Sequence, residues 1–225
     1  MRECLLKPSV CNMKSKQEIV SEQVSGRILD VGYAQEPNSH LKGEIHGIDI
    51  IKNEKAGYFD THTVDLNTDL FPYPPNFFDS VVIGCTLAHI ANPLKVLGEI
   101  NRVLKDGGRL VVTSPNPHYY WEVVLNVFYH FFKNRVAQAK KEEHFYSFSR
   151  FDMRTILERS GFKVIDEKGY LFALVKTSLR FNPIRHPGIA YEIIYIANKI
   201  GSMKNYTTTK KGNVGEGIIK VETKY

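Results

Sequence analysis

Short apolar runs alternate with amphipathic segments along most of this chain, and the alternation predicts strands connected by helices. The first two runs, at residues 27–31 and 45–50, are mostly apolar at consecutive positions. Such runs are typical of strands that are buried on both faces of a parallel sheet. The predicted strands cover residues 27–31, 45–50, 62–65, 77–84, 109–113, 162–166 and 218–223.

Three segments begin with residues that cap helices, which predicts helices next to these strands. The capping pairs are Ser15 with Glu18, Asn92 with Pro93, and Ser149 with Asp152. Glycine suits the position that follows a helix, so we expect Gly26, Gly107 and Gly161 to mark the ends of these helices. A further apolar helix is predicted over residues 189–200, whereas residues 33–42 leave room for only a turn or two of helix.

Size and composition are those of one globular domain. The chain has 225 residues, of which 43% are hydrophobic and 24% are charged, so it can bury a sizeable core. No run reaches the roughly 18 apolar residues of a membrane-spanning helix, and residues 1–16 lack the apolar centre of a signal peptide. We therefore expect a single cytoplasmic domain over residues 1–225, and the odd count of three cysteines predicts reduced thiols.

The formal net charge of +6 favours anionic partners such as nucleic acid, a membrane surface or a phosphorylated substrate. The basic residues are scattered and form no long block, which is typical of an ordinary solvated surface. The sequence contains no compact basic and aromatic stripe and no Asn-Pro-Pro-Tyr motif of base methylators. Nucleic acid is therefore not favoured as a partner.

Residues at the ends of the first two predicted strands are of types that bind ligands. Gly32 follows the first strand, where a glycine lets the backbone turn sharply and approach a ligand closely. Asp49 closes the second strand, where a carboxylate can accept hydrogen bonds from the two hydroxyls of a ribose. Together they predict half of a nucleotide-binding site in a doubly wound fold.

Six segments in register resemble the class I S-adenosylmethionine-dependent methyltransferases, in the subgroup often called type 11. They are Ile-Leu-Asp-Val-Gly at 28–32, Gly-Ile-Asp at 47–49, Val-Asp-Leu at 64–66, Phe-Asp-Ser-Val-Val-Ile at 78–83, the helix and strand at 97–112, and the segment at 144–162. None of these motifs is specific by itself, but their shared order and spacing are. The resemblance covers residues 24–168.

The resemblance implies a fold and a cofactor. The fold would be an α/β, doubly wound, Rossmann-like sheet of seven strands in the order 3-2-1-4-5-7-6, with the last strand antiparallel. The cofactor would be S-adenosyl-L-methionine, bound at the carboxyl ends of strands one to four. The cofactor-binding residues carried over by position are Asp30, Gly32, Tyr33, Ala34, Gln35, Asp49, Ile50, Asp65, Leu66 and Cys85.

The resemblance also implies which part of the cofactor each residue meets. Asp30 and Gly32 would lie against its methionine part, and Asp49 would hold the ribose hydroxyls. Asp65 would meet the adenine, although it could instead form only an Asx-turn with the residues that follow it. Cys85 would line the gap between the sulfonium methyl and the acceptor.

The first loop departs from the family pattern. Relatives usually have two or three glycines there, whereas this chain has Gly32-Tyr33-Ala34-Gln35-Glu36. In one interpretation, Gln35 or Glu36 binds the ammonium group of the cofactor in place of lost backbone contacts. In the other, the pocket has decayed and the chain is a catalytically inactive partner protein. The presence of an acid at the end of both strand two and strand three favours a working site.

Three histidines lie where the family pattern places the acceptor, so each is a candidate catalytic base. A base helps when the acceptor is a hydroxyl, because its proton must leave, and histidine titrates near neutral pH. His144 is the first choice, His118 is the second, and His89 after strand four is the third, although an isolated histidine there could also be a core residue. The histidines and acids do not have metal-ligand spacing, so no metal site is predicted.

Two insertions, at about 115–148 and 180–215, lie where these enzymes place substrate lids. The first is aromatic and apolar and is flanked by lysine and arginine residues, so it could rest on a membrane surface or grip a lipid-linked acceptor. Packing on the core or on a second subunit is the alternative.

The sequence predicts an enzyme that methylates a small molecule or a saccharide, including a lipid-linked glycan, with oxygen as the acceptor atom. The Ser-Pro-Asn-Pro segment after strand five and the aromatic insertion resemble those of enzymes of surface-polysaccharide biosynthesis. This is an analogy at the level of the fold, which does not determine the substrate. An NAD-dependent oxidoreductase is a further alternative, because residues 129–133 fit Tyr-x-x-x-Lys. It is disfavoured, because a pyrophosphate needs several glycines at a helix N-terminus and the first loop has one.

Overall fold

The fold is built around one seven-stranded sheet. A computed structural model describes residues 13–120, 123, 124, 127, 146–173 and 180–203. In chain order the strands are β1 (Arg27–Val31), β2 (Glu44–Asp49), β3 (Asp60–Thr63), β4 (Phe78–Ile83), β5 (Leu104–Pro115), β6 (Phe162–Tyr170), β7 (Phe172–Ala173), β8 (Arg180–Phe181) and β9 (Glu192–Lys199). β7 and β8 form a separate antiparallel pair, and the other seven strands form the sheet.

The sheet has the strand order β3-β2-β1-β4-β5-β9-β6. β1 pairs in parallel with β2 and with β4, and β4 pairs in parallel with β5. β9 runs antiparallel between β5 and β6. The predicted doubly wound order with an antiparallel last strand is confirmed, with β9 as its seventh strand. The order reverses between β1 and β4, and such a reversal opens a crevice at the carboxyl ends of the strands.

Three helices begin where the capping residues predict. α1 (Lys16–Ser21) follows the capping box of Ser15 and Glu18, α2 (Pro93–Val103) follows the N-cap Asn92, and α3 (Arg150–Arg159) follows the capping box of Ser149 and Asp152. Gly161 ends α3 with a φ of +86°, as predicted. The helix ends predicted at Gly26 and Gly107 are wrong, because α1 ends at Ser21 and Leu104 already pairs with β4. In the described ranges no helix is long and apolar enough to cross a membrane.

The sheet is covered on both faces, as the consecutive apolar positions of its strands predict. Leu29 of β1 belongs to the same apolar cluster as Leu97 of α2 and Leu157 of α3. Its neighbour Ile28 belongs to a second cluster, which includes Ile19 of α1. The strands are therefore held rigidly, and so are the polar residues at their carboxyl ends.

The helix predicted over residues 189–200 is wrong, because β9 occupies most of that segment. Residues Ile193 to Ile196 are at most 1% exposed. A run that is buried on every side shows neither a helical nor a strand period, so periodicity cannot decide between the two, whereas its β-branched content favours a strand. β9 takes the sheet position predicted for residues 218–223, which lie outside the described residues. Residues Glu192–Lys199 of the insertion predicted at about 180–215 are thus part of the sheet.

Two segments near the crevice also differ from the prediction. β3 ends at Thr63, so that Val64 and Asp65 belong to the loop that follows it. Residues 33–43 form turns and bends and contain no helix. The loops that follow β1 and β3 are therefore fixed by individual hydrogen bonds rather than by regular structure.

Gly32 connects β1 to the loop at the crevice in a conformation that only glycine adopts without strain. Its φ is +75°, and its N–H donates to the Ile48 carbonyl at 2.8 Å. A Cβ at this position would overlap the side chain of Thr86. We expect Gly32→Ala to lower the free energy of unfolding by about 2–5 kcal/mol, which combines left-handed strain with overpacking.

Gly57 provides a matched control for this prediction. Its φ is +68°, but an added Cβ would meet nothing within 4 Å. Gly57→Ala should therefore cost only the strain of about 1–2 kcal/mol. Urea denaturation of both variants measures the difference, and equal losses would show that the contact with Thr86 contributes nothing.

Candidate active site

A cavity of about 490 Å³ opens at the carboxyl ends of β1, β2, β4 and β5. This volume lies in the range of cofactor and small-molecule sites. The cavity brings together eight of the ten residues predicted to bind the cofactor. They are Asp30, Gly32, Gln35, Asp49, Ile50, Asp65, Leu66 and Cys85.

Tyr33 and Ala34, the other two, support the loop and do not line the cavity. The Tyr33 side chain is buried, and its ring centre lies 5.2 Å from that of Tyr58. Its hydroxyl accepts a hydrogen bond from the Asn53 N–H at 3.2 Å, and the Asn53 side-chain amide donates to the Ala34 carbonyl at 2.8 Å. The bulky residue that replaces the usual glycine pattern is thus packed into the protein, so it does not obstruct the cavity.

Asp49 joins the loops that follow β1 and β2. Its Oδ2 accepts a hydrogen bond from the Ala34 N–H at 2.9 Å, and its Oδ1 accepts one from the Ile51 N–H at 3.3 Å. The residue is 9% exposed and lines the cavity. Each carboxylate oxygen has a further lone pair, so Asp49 can still accept hydrogen bonds from a ligand diol.

Asp30 is a buried carboxyl in the cavity wall. The Tyr58 hydroxyl donates to its Oδ2 at 2.6 Å, and that hydroxyl in turn accepts from the Asn38 N–H at 2.9 Å. Burial raises the pKa of Asp30 to about 6, although the hydrogen bond from Tyr58 acts in the opposite direction. Burial and the charge of Asp30 also raise the pKa of Tyr58, so the phenol remains a donor.

Asp65 forms the Asx-turn that the sequence leaves open as an alternative, because its Oδ1 accepts from the Asn67 N–H at 2.9 Å. Among the described residues no donor reaches its Oδ2. The residue also lines the cavity. One oxygen can thus hold the turn while the other faces a ligand, and the two interpretations are compatible.

The end of β4 supplies the far wall of the cavity. A 3-10 helix, Cys85–His89, follows directly after Gly84. The Cys85 Sγ lies 3.6 Å from the Oγ1 of Thr113 on β5, and both residues line the cavity. A Cβ at Gly84 would meet nothing within 4 Å, so the wall is open there.

The structure separates the candidate histidines. His89 is exposed and lines the large cavity. His118 does not line it and instead borders a second depression of about 410 Å³ together with Arg150 and Phe151. His144 lies outside the described residues. Among those residues, no group of three or more histidine, cysteine or acidic side chains could hold a metal ion.

Sequence reasoning missed residues that line the cavity from distant elements. Lys16 and Gln17 come from the first turn of α1, and Thr113 comes from the middle of the chain. Asn38 lines the cavity and holds the Tyr58 hydroxyl. The sequence marks Lys16 only as part of a capped helix, and nothing in it tells which way that side chain points.

Part of the predicted first lid lies in the described residues. The Tyr119 and Tyr120 hydroxyls both donate to the Ala173 carbonyl, at 2.6 and 2.7 Å, so this end packs near β7. At the other end, the Tyr146 N–H donates to the Ala88 carbonyl at 3.2 Å, beside His89. The insertion is therefore attached on one side to the 3-10 helix that lines the cavity.

Comparison with known families gives one match that covers more than half of the chain. A family model described as "Methyltransferase domain" matches residues 13–167. The match includes all the predicted cofactor-binding residues and the helices α1, α2 and α3.

The chain is also similar to curated quinone methyltransferases. It is 34% identical over 101 residues to a demethylmenaquinone methyltransferase of Listeria welshimeri, which covers 40% of this chain and 43% of the relative. It is 29% identical over 147 residues to a demethylmenaquinone methyltransferase of Staphylococcus haemolyticus, which covers 57% of this chain and 62% of the relative. The alignment thus spans less than two thirds of the length of these relatives.

Solved structures share the fold. A Thermotoga maritima protein, described as a SAM-dependent methyltransferase and possible histamine N-methyltransferase, has a TM-score of 0.61 at 20% identity, over 81% of this chain and 86% of that one. A [4+2]-cyclase has a TM-score of 0.52 at 18% identity, over 82% and 81% of the two chains. At these identities the likeness concerns the fold alone, and the cyclase shows that the fold does not determine the reaction.

The buried carboxyl of Asp30 makes stability depend on pH. Its ordinary pKa of 3.8 rises to about 6 in the folded protein, so only the folded state retains the proton between these values. The free energy of unfolding should therefore fall by about 3 kcal/mol as the pH rises from about 4 to about 6, and then level off. Urea denaturation across this range should show that Asp30→Asn abolishes the decline.

Asp79 provides a control of the opposite sign. The Lys105 ammonium lies 2.6 Å from its Oδ1, the Arg27 N–H donates to its Oδ2 at 2.8 Å, and these bonds lower its pKa. The contribution of Asp79 to the free energy of unfolding is fully present above its ordinary pKa. It is lost as the pH falls through the lowered pKa of the folded protein. Asp79→Asn should therefore lose stability near neutral pH. A decline that persists in Asp30→Asn would contradict the assignment to Asp30.

Proposed function

The chain belongs to the class I S-adenosylmethionine-dependent methyltransferases, and we propose that it methylates a small molecule bound beside the ends of β4 and β5. The observation that carries the proposal is the single cavity that collects eight of the ten predicted cofactor-binding residues. S-adenosyl-L-methionine is the cofactor of this family.

The lining residues fit this cofactor in charge and in hydrogen-bonding capacity. Four carboxylates line the cavity, from Asp30, Glu36, Asp49 and Asp65. The cofactor carries a sulfonium and an ammonium group, which are both cationic, so an acidic wall suits it. Asp49 also keeps lone pairs for two hydroxyls, as described above.

Each part of the cofactor has residues that would hold it. Asp49 would accept hydrogen bonds from the ribose hydroxyls, and Asp65 with Leu66 would meet the adenine. Gln35 and Glu36 are exposed on the loop after β1 and line the cavity, where they would bind the ammonium group. These side chains compensate for the missing glycines of the loop.

When bound, the cofactor supplies a methyl group that is already activated on sulfur. The chain's own residues then have to position the acceptor and exclude water from it. Cys85 and Thr113 form the wall where the acceptor would lie, and the apolar side chain of Ile90 limits access of water. His89 is the described histidine at this cavity, and we assign to it the removal of a proton from a hydroxyl acceptor.

The names of the curated relatives favour an acceptor of the quinone type over the predicted saccharide. Methylation at oxygen, a lid formed by 115–148 and contact with a membrane stay predictions. The inactive-partner alternative is less favoured, because the hydrogen bond from the Ala34 N–H to Asp49 holds the loop after β1 in place, although residues 32–36 contain one glycine. An NAD-dependent oxidoreductase is disfavoured, since no helix follows β1 to bind a pyrophosphate.

Calorimetric titration with S-adenosylmethionine and S-adenosylhomocysteine tests the proposal. We expect micromolar binding, which corresponds to about −8 kcal/mol. Asp49→Ala should weaken it about a hundredfold or more, because two hydrogen bonds to a charged group are lost. Thermal denaturation without ligand shows whether that variant is still folded.

Asp166→Ala is the matched control, since Asp166 is exposed on β6 and does not line the cavity. It should bind both compounds like the wild type. Absence of binding by the wild-type protein would overturn the proposed function, and equal loss in both variants would overturn the role of Asp49.

A further inference from the structure

Lys16 places a positive charge in a cavity that is otherwise acidic. It lies in the first turn of α1 and lines the cavity, as do Val20, one turn later, and Val82 of β4. Val20 and Val82 also belong to the same buried apolar cluster. The ammonium is therefore presented next to an apolar wall, on the side of the cavity where β4 ends.

The ammonium of Lys16 is held by one buried carboxylate. Its Nζ lies 3.1 Å from Oε2 and 3.4 Å from Oε1 of Glu192, at the start of β9. The Glu192 side chain is about nine-tenths buried, and its Oε2 makes no hydrogen bond of good geometry. The two groups form an ion pair in which Glu192 Oε2 still has the capacity to accept a hydrogen bond and the Lys16 ammonium still has N–H groups to donate.

An ammonium has three donors, and Glu192 is the one hydrogen-bond acceptor that the described residues offer to it. Lys16 thus has donors to spare for a ligand in the cavity. Burial lowers the pKa of Lys16, but its neighbours, foremost the Glu192 carboxylate that pairs with it, outweigh this effect and raise the pKa above the ordinary value. Lys16 is therefore fully charged at neutral pH.

We propose that Lys16, positioned by Glu192, binds the acceptor through an oxyanion, and that the acceptor is an aromatic or enolic compound with an acidic hydroxyl. The proposal rests on the methyltransferase function proposed above and names its acceptor class. The hydroxyl O–H bond breaks heterolytically, the oxygen keeps the electron pair beside the ammonium, and the proton passes to His89 and from there to the solvent. The oxyanion makes the acceptor more electron-rich before methyl transfer.

Two features favour an acidic hydroxyl over a phosphate or a carboxylate. The ammonium of one lysine is a point charge, which suits a ligand with one charged oxygen. Phosphates and carboxylates have several charged oxygens and are typically bound in bidentate fashion by arginine. The four carboxylates around the cavity would also repel a ligand with more than one negative charge. Val20 and Val82, in contrast, offer a flat apolar ring a surface on which to pack.

The test uses 4-nitrophenol, which absorbs visible light strongly only as the phenolate, with the protein saturated by S-adenosylhomocysteine. In the wild type, the bound probe should ionise at a pH about one unit or more below that of the free probe, as a nearby opposite charge requires. Lys16→Met should remove this shift, and Lys16→Arg should retain it. Glu192→Gln should enlarge it, because the positive charge then has no counter-charge.

Lys14→Met is the matched control, since Lys14 lies two residues earlier, is exposed and pairs with Glu22. It should behave like the wild type. S-adenosylhomocysteine binding by Lys16→Met, measured by calorimetry, shows that this variant is folded and keeps its cofactor site.

The outcomes separate this inference from the proposed function. If S-adenosylhomocysteine binds but 4-nitrophenol does not bind, or ionises equally in the wild type and in Lys16→Met, the role of Lys16 is overturned and the methyltransferase function stands. Binding of inorganic phosphate or benzoate that depends on Lys16, without such binding of 4-nitrophenol, would overturn the acidic-hydroxyl assignment. Failure of S-adenosylhomocysteine to bind the wild type would overturn both.

Discussion

The hydrogen bond from the Ala34 N–H to the Asp49 carboxylate is the contact on which the site depends. At 2.9 Å it holds the loop after β1 against the end of β2. That loop has no helix and has one glycine among residues 32–36, so regular structure does not determine its position. The Gly32 N–H, bonded to the Ile48 carbonyl at 2.8 Å, fixes the same junction from the backbone. One acidic side chain therefore shapes the cavity and also lines it.

Charge gives the cavity two distinct parts. The acids at the ends of β1, β2 and β3 suit a cationic cofactor, and Lys16 with its partner Glu192 suits an anionic acceptor. Ligands of opposite charge can then lie side by side. The charge of Asp30 lowers the free energy of unfolding, because its carboxylate is buried, and this burial raises its pKa to about 6. The hydrogen bond from Tyr58 offsets part of that cost while leaving the carboxyl in the cavity wall.

Helix α1 contributes to the core and to the site at the same time. It has only six residues, which is too short to be stable by itself. Its capping box and the buried Ile19 and Val20 fix it on the sheet, and this fixes the direction of Lys16. A residue of the site is thus positioned by ordinary packing of the helix that carries it.

Local patterns in the sequence were sufficient to predict where α1, α2 and α3 begin and which strand ends carry Asp30, Gly32 and Asp49, because capping residues act within one turn and strand ends are marked by where an apolar run stops. The strand order, in contrast, was implied by the resemblance to the methyltransferase family. The same patterns failed for β9, because a segment buried on every side has no period that distinguishes a strand from a helix.

Long-range packing, which local sequence patterns do not encode, brings distant residues together at the cavity. Lys16 and Glu192 are separated by most of the chain, yet their charged groups lie 3.1 Å apart. Tyr33 fills the interior although its sequence position predicts contact with the cofactor. Whether a side chain points into the cavity depends on how its element packs against the others, and that packing is set by contacts between residues far apart in the chain. Local sequence patterns thus account for most of the elements and for the chemistry available at their ends, whereas long-range packing selects which of those side chains line the cavity.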